Sequence, residues 1–230
     1  MKKCGLICAL LIVGLALPAA ASSSRSDDIS RIQQSTDIFK DIVDAPDSSF
    51  PLDLLQSAQC IAIIPSVLKA AFVIGGSYGK GIVTCRLGEK NVSREWSAPA
   101  FVTLGGGSFG FQIGGSATDL ILVFRNRTGL KRLLSDKFKI GADASAAAGP
   151  LGRHAEASTD LQLHAEILSY SRSRGVFAGI SLNGAVFQPD QSGNEALYGN
   201  GARSEGILTG KYAAPAEFSP LLAELKKYAL

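Results

Sequence analysis

Residues 96–153, which read WSAPAFVTLGGGSFGFQIGGSATDLILVFRNRTGLKRLLSDKFKIGADASAAAGPLGR, decide the fold. Their large apolar residues mostly alternate with small or polar ones, which is the period-two pattern of β-strands. These apolar positions are Phe101, Leu104, Phe109, Phe111, Ile113, Leu120, Leu122 and Phe124. Glycines at 105, 106, 107, 110, 114 and 115 interrupt them, and glycine within a strand pattern marks a turn, a bulge or a close backbone approach. We therefore predict a glycine-bent antiparallel sheet.

Helical patterns flank this sheet at both ends of the chain. Ile29, Ile32, Thr36, Phe39 and Val43 recur at steps of three and four residues, which predicts a helix beginning near Asp27. Near the carboxyl end, Ser219 is suited to cap a helix and Pro220 to begin one. The predicted fold class is α+β, with a curled or sandwich-like sheet and helices at the N-terminus and the C-terminus.

Two further segments have the composition of turns. Residues 72–74 and 81–84 are strand-like and flank the glycine-containing run 75–80, which predicts a hairpin. Pro65 is expected to end a strand that begins at Cys60. Residues 190–194 are polar and contain a glycine, which predicts a turn.

The N-terminus has the pattern of a secretory signal peptide. Lys2 and Lys3 precede an apolar run over residues 6–17, and Pro18 introduces three alanines. This pattern predicts cleavage after Ala21. The alternative is a membrane anchor, although the apolar run is short for a bilayer span.

The predicted organisation is a signal peptide at residues 1–21, a polar leader at 22–28 and a single domain at 29–230. Cleavage would remove two lysines and lower the formal net charge from +3 to +1. That balance gives no support to a nucleic-acid partner, so any electrostatic function must come from local clustering of charge. An exported protein meets oxidising conditions.

Cysteine usage is consistent with export but leaves two alternatives open. Only Cys60 and Cys85 would survive cleavage. They either form a disulfide, which is favoured in oxidising compartments, or remain as buried thiols on neighbouring strands. Two cysteines without supporting histidines do not predict a metal site.

Several long motifs, in a fixed order, resemble the SYLF domain family. They are AQCIAIIPSVLKAAFVIGGSYGKGIVTCR at 58–86, WSAPAF at 96–101, GGSFGFQIGGSATDLILVF at 106–124, FKIGADASAAAGPLGR at 138–153, YSRSRGVFAGISLNGAVFQPD at 170–190, and Tyr198 followed by Gly199. The resemblance covers residues 29–228. That family includes yeast endocytic actin-patch proteins and many secreted bacterial proteins. It implies a non-catalytic module that binds membrane lipids, in relatives often phosphoinositides.

Two short motifs suggest catalysis but lack the context that it requires. Residues 105–110 fit G-x-G-x-x-G, yet a strand and not a helix is predicted to follow, so no helix N-terminus would hold a pyrophosphate. G-x-S-x-G occurs around Ser77 and Ser108, again without the helix of a nucleophile elbow. A serine hydrolase is therefore the less favoured alternative, and no cofactor is predicted.

One segment is strongly basic. Six cationic residues lie between positions 125 and 139, against the single acidic residue Asp136. They are Arg125, Arg127, Lys131, Arg132, Lys137 and Lys139. Arginines can chelate phosphates and lysines attract them as point charges, so this cluster is the predicted lipid-binding site. The alternative is a solvated surface without a ligand.

The predicted function is binding of anionic phospholipid or phosphoinositide headgroups at a membrane surface, in the periplasm or outside the cell. The alternative from another class is a structural envelope protein that binds a protein partner. The sequence does not identify such a partner.

Overall fold

The structure is a computed structural model that describes residues 25–44, 50–88, 95–126, 137–150, 165–173, 176–180 and 182–228. Within strands, it describes only the backbone of residues 70–75, 107–116, 173 and 176–177. The helix predicted at the N-terminus is present, and it begins at Arg25, inside the segment predicted as a polar leader. The predicted helix at the C-terminus is present too.

The described residues form five α-helices, a short 3-10 helix and seven strands. The helices are α1 (Arg25–Val43), α2 (Leu52–Ser57), α3 (Gln191–Tyr198), α4 (Ser204–Leu208) and α5 (Ser219–Lys227), with the 3-10 helix at Ala216–Phe218. The strands are β1 (Cys60–Cys85), β2 (Ala100–Phe124), β3 (Phe138–Lys139), β4 (Ala146–Ala148), β5 (Ile167–Ser173), β6 (Val176–Gly179) and β7 (Val186–Pro189). Ser219 is the first residue of α5 and not its cap.

The strands belong to one curled sheet, built around the pair β1 and β2. These two strands are antiparallel over almost their whole length, from Cys60 opposite Phe124 to Val83 opposite Ala100. The first part of β2 also pairs with β7, which pairs with β3, and its last part pairs with β5. Only the short pairing of β4 with β5 is parallel. The predicted α+β class with a curled antiparallel sheet is confirmed.

The predicted hairpin at residues 75–80 is wrong, because β1 runs through this segment without a break. The strand also continues past Pro65, where the register with β2 shifts and Ser66 adopts a positive φ of 48°. A second shift lies between Ala71 and Val73. These irregularities bend the paired strands instead of ending them, as bulges commonly do.

The bend brings the second half of β1 back against its first half. A Cβ added to Gly81 would lie 2.2 Å from the carbonyl oxygen of Ile63, and one added to Gly79 would lie 2.7 Å from a methyl of Val67. Real Cβ atoms are essentially never found within 3.0 Å of another heavy atom in this way. These two glycines therefore let one part of the strand cross closely over another.

The two ends of β1 meet at the same place. Cys60 and Cys85 form a disulfide with 4.0 Å between their Cα atoms. The adjoining Arg86 N–H donates to the carbonyl of Gln59 at 2.8 Å. The Arg86 guanidinium donates to the carbonyls of Leu55 and Ala58, and lies 4.7 Å from the centre of the Trp96 ring. The buried Arg86 thus links the closed ends of β1 to the end of α2, and its burial lowers its pKa.

Each face of the curled sheet has its own apolar core. The outward core packs α1, α2 and α5 on one face, and includes Phe39, Phe50, Ile61, Ile63, Phe101, Ile121, Tyr170, Phe218 and Leu225. The inward core joins both halves of β1 and β2 to β3, β5, β7 and α4, and includes Ile64, Val67, Val83, Leu104, Leu122, Phe124, Phe138, Phe187 and Ile207. The alternation of inward and outward residues along each strand keeps these cores separate.

Residues 191–198 form a helix where a turn was predicted at 190–194. Asp190 caps α3, and its carboxylate accepts hydrogen bonds from the backbone N–H of Gly193 and the hydroxyl of Ser192. Asn194, which is fully buried, pairs with both the N–H and the carbonyl of Phe101. The side-chain amide of Asn194 thereby makes the two backbone hydrogen bonds to Phe101 that a neighbouring strand would otherwise make.

The cap carboxylate is also part of a buried ion pair. The Nζ of Lys80 lies 2.8 Å from the carboxylate of Asp190, which is only 6% exposed. Burial acts to raise the pKa of Asp190, but the hydrogen bonds and the charge of Lys80 outweigh it, so that the pKa lies below its ordinary value. The ionised form is therefore the one that stabilises the fold.

Replacing Gly81 with alanine tests the close crossing. We expect Gly81→Ala to lower the free energy of unfolding by about 3 kcal/mol, because backbone atoms of β1 must move to admit a methyl group. The matched control is Gly105→Ala, also within a long strand, where an added Cβ meets nothing within 4 Å. Urea denaturation measures both. Equal effects of the two substitutions would show that the crossing imposes no such constraint.

Replacing Asp190 with asparagine tests the cap and the ion pair. Because the folded-state pKa is lowered, the carboxylate contributes fully above its unfolded-state pKa of about 3.9, and this contribution is lost as the pH falls through the folded-state value. Asp190→Asn should therefore lower the free energy of unfolding by about 2 kcal/mol at neutral pH, and by less in acid. The control is Asp37→Asn on the exposed side of α1. A deficit that does not shrink between pH 7 and pH 3 would contradict this assignment.

Candidate functional site

The bent middle of β1 and β2 forms a two-stranded arch. We define the arch as residues 68–78 and 105–117, which run from the pair Leu68–Ala117 to the pair Tyr78–Gly105. β7 pairs with β2 only as far as Gly105, and β5 begins to pair at Asp119. Among the described strands, the arch therefore has no pairing partner beyond its own two strands except at Gly105, where β7 ends its pairing with β2.

The sequence of the arch carries no charge over most of its length. From 70 to 79 and from 104 to 118 there is no charged residue. Large apolar residues in these segments include Phe72, Val73, Ile74, Phe109, Phe111 and Ile113. Such a composition is typical of a buried strand. Beyond Leu104 and Gly105, however, these segments of β1 and β2 pair only with each other among the described strands.

Two large apolar side chains are exposed where the arch joins the rest of the sheet. Leu68 is 60% exposed and Tyr78 is 52% exposed, and they are the exposed large hydrophobic residues of the described chain. Their neighbours Val67 and Gly79 are buried, so the outward positions of β1 are the exposed ones here. Exposed apolar side chains beside an uncharged element mark this surface as a candidate for binding.

A row of residues across the sheet connects Tyr78 to the basic segment. Tyr78 is opposite Gly105, Gly105 is opposite Val186, and Val186 is opposite Lys139. Directly opposed residues lie on the same face of a sheet, and three steps between strands span about 14 Å. The next row, which includes Phe138 and Phe187, is buried. The exposed Lys139 therefore shares the outer face of the sheet with Tyr78.

The structure describes three of the six predicted basic residues. Lys137 immediately precedes β3, Lys139 is its last residue, and both are exposed, whereas Arg125 is half-buried just after β2. The rings of Phe124 and Phe138, whose centres are 6.4 Å apart, hold these two ends of the cluster near each other. Arg127, Lys131 and Arg132 lie outside the described residues, so their role stays a prediction. His154 and His164 lie outside them as well.

Other charges surround the base of the arch. Lys69, which is half-buried, lies within the arch opposite Ser116. Lys80 is neutralised by Asp190 at 2.8 Å. Asp119 accepts a hydrogen bond from the Ser66 N–H and lies 3.9 Å from Arg172. Lys69 and Lys139 therefore carry positive charge at the base, on the side of β1 and the side of β3 respectively.

A groove of about 350 Å³ lies between α1 and the base of the arch. It is lined by Asp27, Ser30, Arg31, Gln34, Pro65, Ser66, Leu68, Tyr78, Gly79 and Lys80. Arg31 is paired with the buried Asp28 at 2.6 Å, and its guanidinium lies 5.5 Å from the centre of the Phe101 ring. Because Arg31 and Lys80 are both paired with acids, the groove is polar but has little net charge.

The serine motifs lie in strands and not at nucleophile elbows. Ser77 belongs to β1 and Ser108 to β2, and the residues that follow each of them remain in a strand. The described residues contain no group of three or more His, Cys, Asp or Glu side chains placed to hold a metal ion. Among the same residues, no helix is both long enough and apolar enough to span a membrane.

Comparison with known proteins places this architecture in a family. The model of the Ysc84 family, described as Las17-binding protein actin regulator, matches residues 105–228, which is more than half of the chain. An SH3 domain-containing protein of Schizosaccharomyces pombe is 35% identical over 174 residues, covering 74% of this chain and 39% of that protein.

Other relatives come from budding yeast and mammals. LAS seventeen-binding protein 3 of Saccharomyces cerevisiae is 32% identical over 186 residues, covering 80% of this chain and 39% of that protein. The human SH3 domain-containing YSC84-like protein 1 is 32% identical over 184 residues, covering 80% and 52% respectively. The chain thus spans from about two fifths to about half the length of these relatives. It belongs to the Ysc84 family, which is the SYLF family that its motifs resemble.

Proposed function

We propose that the chain is a non-catalytic module that binds anionic phospholipid headgroups, phosphoinositides among them, at a membrane surface. The observation that supports this function is the position of Lys137 and Lys139, which are exposed at the edge strand β3. Lys139 shares a face with the exposed Tyr78. Ammonium groups beside exposed apolar surface suit the boundary between headgroups and acyl chains.

The basic segment would supply most of the attraction. All six of its cations come from fifteen consecutive residues, whereas the chain as a whole has a formal net charge of only +3. The charge is therefore concentrated locally, which favours one anionic surface over nonspecific attraction. Near an anionic bilayer each lysine or arginine contributes about 1 kcal/mol.

Binding to a protein is the second candidate function. The name of the budding-yeast relative records binding to LAS seventeen, and the family description records the same partner. The chain shares with that relative the segment that matches but spans only 39% of its length. The same surface could serve a protein, in which case binding to vesicles would be weak or absent.

We also propose that the chain is exported, with residues 1–21 removed. The disulfide between Cys60 and Cys85 supports this, because disulfides persist in oxidising compartments. An exported product that begins near Ser22 would place the headgroup surface on the periplasmic or outer side of a membrane. The anionic lipids of that side would then be its ligands.

Neutralising the basic segment should weaken vesicle binding. We expect the combined change Arg127→Gln, Lys131→Gln, Lys137→Gln and Lys139→Gln to lower the affinity for phosphatidylglycerol-containing vesicles by about three orders of magnitude. The affinity of the parent protein should fall steeply as salt rises, because screening at physiological ionic strength acts over about 8 Å. Co-sedimentation with anionic and zwitterionic vesicles measures both effects.

A matched control removes four exposed charges elsewhere. Arg203→Gln, Lys211→Gln, Lys226→Gln and Lys227→Gln change exposed residues on or beside α4 and α5, outside the basic segment. This variant should keep most of its affinity. If both variants bind equally, the attraction depends on total charge and not on the basic segment. If the parent protein does not bind anionic vesicles at all, the proposed function is wrong.

Export can be tested by the mass of the protein recovered from outside the cytoplasm. The expected mass is that of a chain that begins near Ser22 and contains the Cys60–Cys85 disulfide. A control with Ala19→Arg and Ala21→Arg should not be processed, because the cleavage site requires small residues. Recovery of the parent with Met1–Ala21 still attached would contradict the proposal.

A further inference from the structure

We propose that the arch inserts into the outer layer of the bilayer and anchors the protein by apolar contact, in addition to the attraction of its basic segment. This inference rests on the proposed function and identifies the part of the chain that enters the lipid. Its occupant is a lipid surface, which must accept both the uncharged segments of the arch and the cations beside them.

The first support is the change from uncharged to charged residues at the ends of the arch. Residues 70–79 and 104–118 hold no charge, whereas Lys69 and Lys80 border this stretch on β1 and Asp119 borders it on β2. Because Lys80 is paired with Asp190, Lys69 is the lysine of this border that can serve an interface, since a lysine stem can lie along apolar surface while its ammonium group reaches the phosphates. The charge of Lys69 also complements the negative charge of anionic headgroups.

The second support is the exposure of Leu68 and Tyr78. Leu68 and Tyr78 stand at the two ends of the β1 part of the arch, and each exposes more than half of its surface. Tyrosine is favoured where an apolar layer meets a polar one, because its ring is apolar and its hydroxyl is polar. Both side chains would be covered if the arch entered a bilayer as far as its base.

The backbone of the arch limits the depth of insertion. Its strands pair with each other, so the outer edge of each has peptide groups without a strand partner among the described residues. Such edges are not tolerated in the hydrocarbon core, since each unpaired group there costs several kcal/mol. We therefore place the arch at the boundary between headgroups and acyl chains, at a depth of about 5–10 Å.

The exposed row across the sheet allows one membrane surface to contact both Tyr78 and the basic segment. Lys139 lies on the same face as Tyr78, about 14 Å away across the strands. A membrane that covers Tyr78 can thus meet Lys139 without distortion of the sheet. The paired Lys80 and Asp190, by contrast, are held by the fold and are not required for this contact.

The depth of the arch can be measured by the fluorescence of an introduced tryptophan. Tyr78→Trp places an indole at the base of the arch, and Ala213→Trp places one at an exposed position beyond α4 as a control. Each is mixed with phosphatidylcholine–phosphatidylglycerol vesicles whose acyl chains carry bromine. Trp96, present in both proteins, provides a common background. We expect quenching and a blue shift for Tyr78→Trp and neither for Ala213→Trp.

The apolar contribution is measured separately with Leu68→Ser combined with Tyr78→Ser. Both positions are exposed, so the thermal stability should be unchanged, and vesicle affinity should fall about thirtyfold. The deficit should persist in high salt, unlike that of the charge variants. The conservative pair Leu68→Met with Tyr78→Phe should retain the affinity of the parent.

Each outcome decides between the two proposals. Binding of the parent without quenching of Tyr78→Trp would overturn insertion and leave headgroup binding intact. Failure of the parent to bind vesicles would overturn both. A dimer in sedimentation experiments that Leu68→Ser with Tyr78→Ser abolishes, together with an unquenched indole, would assign the arch to self-association instead.

Discussion

The contact of β1 with itself is the constraint on which the structure depends. A strand of this length would extend roughly 80 Å if it were straight, yet its two terminal Cα atoms lie 4.0 Å apart. The disulfide, the hydrogen bond from Arg86 to Gln59 and the close approach of Gly81 to Ile63 all hold this closure. Because β2 follows β1 along almost its whole length, it is bent in the same way.

The contact between the two ends of β1 determines where the remaining elements lie. It creates an inward face, on which Phe124, Phe138 and Phe187 pack together, and an outward face, on which α1, α2 and α5 dock. It also leaves the middle of the paired strands as an arch beyond the reach of β5 and β7. The arch, its exposed base and the basic β3 are thus consequences of one folding constraint, and they meet on one face of the sheet.

The sequence predicted the class of the fold because its signals are local. Period-two alternation indicated the strands, the three- and four-residue steps indicated α1, and the motifs indicated the family. Glycine was less informative, since the same residue serves a turn, a bulge and a close crossing. The run 75–80 was therefore predicted as a hairpin, although the crossing of Gly81 over Ile63 requires contact between residues that no local pattern connects. Similarly, α3 depends on Asp190 and Asn194, whose partners include Lys80 and Phe101 from distant parts of the chain.

The candidate site was predicted in part. The density of basic residues in the sequence singled out Lys137 and Lys139, which the structure describes as exposed. Leu68 and Tyr78 were not singled out, because an apolar residue in a strand pattern is ordinarily expected to be buried. The absence of charge from 70 to 79 was the available signal. This signal could be interpreted only from the strand register, which shows that residues 70–79 pair with β2 and with no other described strand.

Hydrogen exchange in the presence and absence of anionic vesicles tests the central claim most directly, since it reports on the backbone of every part of the chain. Membrane contact through the arch and the basic segment predicts slower exchange in residues 68–78, 105–117 and 137–139, with α1 and α5 unchanged. Slower exchange that is confined to α1, or spread evenly over the protein, would contradict the claim that β1 and β2 present their arch to the membrane.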